Sequence, residues 1–191
     1  MSLCLVANWK LNGSKEFNHQ WVLEFLRNFN GNNFSILGIA PASLYIDHLQ
    51  TTLTDYDIKI GSQNIDLEET GARTGEISAS MINDLGCAFS IIGHSERRML
   101  FHETNQMICH KLIQADNNSV IPILCIGESA KENLSNNTFN VLEQQIIEAL
   151  KNADELSSLI IAYEPIWAIG SGKTPIPKEI NSVHEMIKDV V

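Results

Sequence analysis

An acid closes the apolar run Ser158-Leu159-Ile160-Ile161-Ala162-Tyr163, and Glu164 is the first residue whose type and position could do chemistry. The run is continuous rather than alternating, the pattern of a strand covered on both faces in a parallel sheet. Pro165 cannot donate to a ladder and biases Glu164 toward an extended backbone. The carboxylate is therefore expected at the strand's C-terminal rim, where parallel α/β sheets keep their chemistry. Beyond it, Ile166, Trp167 and Ile169, then Gly170 and Gly172, make a loop able to bend at its ends and carry an apolar middle over a ligand. Taken alone, a glutamate at a strand end also reads as a solvated rim residue or a capping partner.

Other chemistries fall on spacing. Gly172-Lys173-Thr174 ends like a phosphate-binding loop, but the required first glycine is Trp167 here, which removes nucleotide hydrolysis. His94-Ser95 offers a hydrolase pair without the Gly-x-Ser-x-Gly elbow or an oxyanion loop. His102-Glu103 has no second histidine at metalloprotease spacing, so no metal site is expected.

The elements that must position Glu164 recur along the chain. Apolar runs at Leu3–Ala7, Phe34–Ala40, Ile58–Ser62, Cys87–Ile92, Val120–Ile126 and Ser158–Tyr163 alternate with helical stripes. The stripes are Phe17, Trp21, Val22, Phe25, Leu26 and Phe29, with Ser14 as cap; Ile108, Leu112 and Ala115; Phe139, Leu142, Ile146 and Leu150; and Ile180, Val183, Ile187 and Val191. This βα alternation calls for a parallel sheet covered by helices. Asn8-Trp9-Lys10-Leu11-Asn12-Gly13 is not the glycine turn of dinucleotide-binding winding. Parallel strands deliver their C-terminal ends to one face, so Asn8, Lys10, Gln63, Asn64, His94, Ser95, Glu96, Gly127, Glu128 and Glu164 share a rim. An acid, an imidazole, an ammonium and an amide on one mouth make a catalytic site the expectation.

Bulk properties bound the rest. With 191 residues, 44% of them hydrophobic, and no linker-like stretch, residues 1–191 read as one domain. A net charge of −10 argues against nucleic-acid or anionic-membrane partners. Cys4, Cys87, Cys109 and Cys125 form no CxxC pair and read as reduced core thiols, hence a cytoplasmic location. No signal h-region or membrane span is visible.

Four segments together carry a resemblance: Ala7-Asn8-Trp9-Lys10-Leu11-Asn12-Gly13, Thr74-Gly75-Glu76-Ile77-Ser78, Ile92-Gly93-His94-Ser95-Glu96-Arg97-Arg98 and Ala162-Tyr163-Glu164-Pro165-Ile166-Trp167-Ala168-Ile169-Gly170. In order and spacing they resemble the triosephosphate isomerase family. The resemblance implies a (β/α)₈ barrel and the interconversion of dihydroxyacetone phosphate and D-glyceraldehyde 3-phosphate through an enediolate. It implies a place in glycolysis, gluconeogenesis and the pentose phosphate pathway, with no metal or organic cofactor. Carried over residue by residue, Glu164 is the base and His94 the electrophile, a pairing that belongs to the family's known chemistry and is borrowed here rather than derived. Lys10 and Glu96 complete the catalytic group, and Asn8, Lys10 and the Gly170 N–H bind substrate. The lid is Pro165-Ile166-Trp167-Ala168-Ile169-Gly170-Ser171-Gly172-Lys173. The polar loop Asp66–Glu76, with Thr74 and Gly75, is implied to dock into a second copy, making a homodimer.

The family barrel needs about 250 residues and eight strands. About six of its βα units are expected within residues 1–191, a barrel incomplete at the C-terminus and without the glycine-rich turns that hold the substrate phosphate. The Leu3 and Ser158 strands are then open edges. The 191-residue chain by itself is expected to turn over little or nothing, and a non-catalytic remnant or interaction fragment is the alternative to the isomerase. Ile176 stands where a hydroxyl usually caps the helix after the lid, with Pro177 a good first helical residue.

Overall fold

The structure, a computed structural model, describes residues 3–29, 34–153 and 155–191. Six strands, β1 (Leu3–Asn8), β2 (Phe34–Ala40), β3 (Lys59–Ser62), β4 (Phe89–Ile92), β5 (Ile121–Ile126) and β6 (Ile160–Tyr163), lie in sequence order in one sheet. Every neighbouring pair is parallel. This is six of the eight βα units of a (β/α)₈ barrel, curled but open between β1 and β6. The helices are α1 (Lys15–Asn28), α2 (Ile46–Thr52), α3 (Ala79–Asp84), α4 (Ser95–Leu100), α5 (Asn105–Asn117), α6 (Ala130–Leu134), α7 (Thr138–Leu150) and α8 (Pro177–Val190). Among them, none is long and apolar enough to cross a membrane.

Local signals explain most boundaries. The Ser14 hydroxyl accepts from the Phe17 N–H and starts α1, and Thr104 and Ser129 do the same for α5 and α6. At α8, Ile176 offers no hydroxyl; Pro177 occupies the first helical position and the Glu179 carboxylate accepts from the Ile176 N–H instead.

Two apolar layers result. The outer one joins sheet to helices through buried Ile108, Leu112, Leu124, Leu142, Ile146 and Val183. The inner one, inside the curl, holds Ala40, Phe89, Ile91, Ile123 and Cys125. Phe89 is fully buried there and lies against Gly38 and Gly61, where any Cβ would overlap its ring.

Some expectations fail at the edges. β6 is only half-buried along its length rather than covered on both faces, because it pairs with β5 alone among the described strands. At the other edge Leu3 and Leu5 are 64% and 50% exposed. Phe139 is exposed, so the buried stripe of α7 is Leu142, Ile146 and Ala149. The short helices α2, α3, α4 and α6 carry none of the apolar stripes named above.

Candidate active site

Glu164 leaves β6 with its backbone N–H still donating to the Ile126 carbonyl at 2.8 Å, so the ladder with β5 carries it to the rim. Gly127, opposite, is glycine for a reason: a Cβ there would overlap the Glu164 carbonyl oxygen. The carboxylate points across the mouth to β4. Its Oε1 accepts from the Ser95 N–H at 2.6 Å, and its Oε2 lies 3.2 Å from His94 Nε2. Ser95 opens α4, so that N–H is one of the donors a helix leaves without an internal partner.

His94 caps the same helix. Its Nδ1 accepts from the Glu96 N–H at 3.2 Å. A backbone N–H can only donate, so the ring proton resides on Nε2, facing Glu164. Glu96 then reaches the other way, its Oε1 accepting from Lys10 Nζ at 2.8 Å. Lys10, Glu96, His94 and Glu164 therefore form one continuous polar chain around the mouth, assembled from β1, the start of α4 and the end of β6.

Lys10 has a backbone φ of 52°, the left-handed region that a residue with a Cβ rarely adopts. Its N–H donates to Asn8 Oδ1 at 2.9 Å. The Gln63 carboxamide, from the end of β3, donates to the carbonyls of Lys10 and Ala40, each at 2.9 Å. Asn8 and His94 line two cavities: one of about 660 Å³ with Lys10, Gln63 and Glu96, and one of about 450 Å³ that reaches Glu164 and the inner face of the sheet.

The loop Pro165–Lys173, expected as a lid, follows directly. Ile166–Ala168 forms a single 3₁₀ turn, and Gly170 and Gly172 take φ of 67° and 73°. Gly170 is exposed and Ile169 is 44% exposed. The base of that loop is tied down by Glu128. That residue was expected at the rim with the others, yet its side chain is wholly buried: its Oε1 accepts from Trp167 Nε1 at 2.8 Å, Tyr163 OH at 3.1 Å and Asn133 Nδ2 at 3.2 Å. Burial, with the Glu128 carboxylate beside it, pushes the Tyr163 phenol upward, so it stays a donor.

Thr74 and Gly75 sit exposed on the loop after β3. The loop's base is fixed by buried Asp66, whose Oδ1 takes Arg73 Nε at 2.6 Å and the Glu68 N–H at 2.8 Å. Burial works against that carboxylate's charge, but the Arg73 and Glu68 donors outweigh it and hold its pKa below the ordinary value.

Three features were invisible in the sequence. One is the Ser95 N–H on Glu164. The second is the Gln63 bridge to Lys10. The third is a buried ion cluster beneath the mouth, where Glu103 Oε1 accepts from both Lys111 Nζ and Arg97 Nε at 2.5 Å and Lys111 also donates to Asn64 Oδ1 at 2.8 Å. No local motif marks any of these; each joins residues several to many positions apart.

Against known proteins, a family model described as triosephosphate isomerase matches residues 3–191. A triosephosphate isomerase of Histophilus somni is 40% identical over 187 residues, spanning 96% of this chain and 73% of that protein. One from Nitrosococcus oceani is 39% identical over 189 residues, spanning 98% and 76%. One from Escherichia coli is 40% identical over 187 residues, spanning 97% and 73%. With these matches running along nearly the whole chain, it belongs to the triosephosphate isomerase family.

Proposed function

We propose that the protein interconverts dihydroxyacetone phosphate and D-glyceraldehyde 3-phosphate by moving a proton between adjacent carbons. The observation that carries this reading is the 3.2 Å approach of His94 Nε2 to Glu164 Oε2, an imidazole N–H and a carboxylate at one point of the mouth. A substrate carbonyl oxygen takes the Nε2 hydrogen, which frees the carboxylate oxygen to accept the proton on the neighbouring carbon. That proton is too weakly acidic for a carboxylate unless the enediolate charge is met as it forms. The His94 N–H and the fixed Lys10 charge meet it, Asn8 adds a hydrogen bond, and Glu96 holds the ammonium in place. Closure of Pro165–Lys173 brings the Gly170 N–H to the phosphate and keeps water from the enediolate. No step in this sequence calls for a metal or organic cofactor.

The partner we propose is a second copy. Lining the cleft, Leu11, Leu100 and Phe101 are 99%, 69% and 60% exposed. Exposed apolar side chains beside a cleft suit a partner surface, and the braced loop carrying Thr74 and Gly75 is the element of the other copy that would cover them. Sedimentation equilibrium should return a dimer for the parent and a monomer for Phe101→Asp. The four free thiols accord with a cytoplasmic setting, and the triose chemistry with glycolysis and gluconeogenesis.

A coupled assay in each direction tests the function. Among the described residues Gly170 is the one phosphate ligand we assign, so residues 1–191 alone should turn over little or nothing; conversion above a buffer control that survives unchanged in Glu164→Gln would refute the reading. Gly127→Ala should lower kcat by about 10²-fold, since displacing the Glu164 backbone by even an ångström spoils alignment of the base.

A further inference from the structure

Gly127 lies one residue past the end of β5, and its buried peptide groups need partners that no strand supplies. The Ile126 and Glu128 carbonyls face β6 and the start of the loop after it, accepting from the Glu164 N–H at 2.8 Å and the Ile166 N–H at 3.2 Å. Gly127, between them, presents its own N–H and C=O to the opposite side. There β4 has already ended: its last residue, Ile92, pairs with Leu124, and the chain turns away at Gly93 with φ of 71°. A side chain from α7 takes the strand's place. Gln145 Oε1 accepts from the Gly127 N–H and Gln145 Nε2 donates to the Gly127 carbonyl, each at 3.0 Å. A peptide N–H only donates and a peptide C=O only accepts, so the carboxamide has one orientation. Packing does not call for a polar group here, since Gln145 shares the helix face of Leu142 and Ala149, both fully buried. What the carboxamide fixes is the support beneath Glu164. Gly127 lies against the Glu164 carbonyl, where a Cβ would overlap it, and close to Ile166. Among the described strands β6 pairs with β5 alone, so the end of β5 is what places the residue that follows β6.

We propose that Gln145 is a positioning residue for the isomerisation: through Gly127 it sets where the Glu164 main chain sits, and hence where the carboxylate meets His94 and the substrate. The proposal rests on the role given to Glu164 above. Without the carboxamide, the Gly127 N–H and C=O are left buried and unpaired, and the end of β5 shifts to find other partners. The Glu164 backbone, bonded to Ile126 and set against Gly127, moves with it. The carboxylate then leaves the line between the Ser95 N–H and His94 Nε2.

The test reads the carboxylate through the Ser95 amide, which donates to Glu164 Oε1 at 2.6 Å. A bond that short to a charged acceptor holds the amide proton far downfield in NMR spectra of labelled protein. Gln145→Met keeps side-chain length and helix propensity, and in it the Ser95 amide should move upfield. The amides of Arg98 and Phe101, further along α4 and bonded to the His94 and Arg97 carbonyls, should stay in place. A Ser95 amide that does not move overturns the proposal; so does a shift of all three together, the sign of a merely structural role. In a Glu164→Ala background the Ser95 amide has no carboxylate to follow, so adding Gln145→Met should leave it where it is, and movement there also overturns the proposal. Gln145→Glu guards against misfolding of the methionine variant: it keeps the glutamine's shape, but when ionised it sets an oxygen against the Gly127 carbonyl and should move Ser95 the same way. In turnover, deuterium uptake into dihydroxyacetone phosphate from D₂O should fall by about 10–100-fold in Gln145→Met, and uptake at the parent rate overturns the proposal. If uptake by the parent does not depend on Glu164, the base assigned above fails, while the Ser95 shift still decides whether Gln145 places the carboxylate.

Discussion

Glu164→Gln lowers the isomerisation rate by about 10²–10⁴-fold, the span expected for removing a positioned general base. The change is nearly isosteric, and the amide oxygen can still accept from the Ser95 N–H that holds Oε1 at 2.6 Å. What is lost is basicity at the atom facing His94 Nε2. The loss should therefore appear in kcat, with KM altered little, since in the proposed reaction the carboxylate works on the carbon-bound proton rather than on the phosphate. A thermal unfolding midpoint close to the parent's would show that the fold survives the change. A variant with near-parent kcat would mean that another group is the base.

Glu103→Ala has the largest expected effect on stability, a loss of about 3–5 kcal/mol read from denaturant unfolding, because breaking a buried pair strands a charge. Its carboxylate is 2% exposed and Lys111 is 4% exposed, and Arg97 shares the same oxygen. Burial already lowers the Lys111 pKa, and the Glu103 hydrogen bond and charge oppose that lowering. Removing the carboxylate lowers it further. An amine whose folded pKa lies below its unfolded one makes folding less favourable while it must lose or strand its proton, so stability rises with pH across that window. Relative to the parent, Glu103→Ala should thus recover part of its loss as pH climbs toward the ordinary lysine pKa. A deficit that stays constant with pH would place the cost in lost packing instead.

Most of the architecture could be read from the residues. Each of the six apolar runs became a strand, with no end moved by more than two residues, because a parallel strand in a covered sheet needs a continuous apolar stretch and shows it. The meeting of Asn8, Lys10, His94, Glu96 and Glu164 was legible for a topological reason: parallel strands put all their C-terminal ends on one side. Short helices were not legible, since α4 with six residues and α6 with five have too few turns to print a periodic stripe. That gap mattered, because α4 supplies the Ser95 N–H and fixes the His94 tautomer. Glu128 shows the limit of placing residues by strand end alone. It follows β5 as expected, yet its side chain turns inward to anchor Trp167, a direction set by Tyr163 of β6 and Trp167 of the loop after it, 35 and 39 positions onward. Gln63 was placed on the rim without a task, since its partners are 53 and 23 residues away.

The central claim is that Glu164 and His94 act on one small substrate at the same mouth, and solvent isotope uptake tests it most directly. Residues 1–191 are incubated with dihydroxyacetone phosphate in D₂O, and carbon-bound deuterium is followed by NMR in the parent, Glu164→Gln and His94→Ala chains. The account predicts deuterium entering the carbon next to the carbonyl faster than in buffer for the parent, and at the buffer rate for both variants. Parent and variant chains that exchange at one common rate would contradict it.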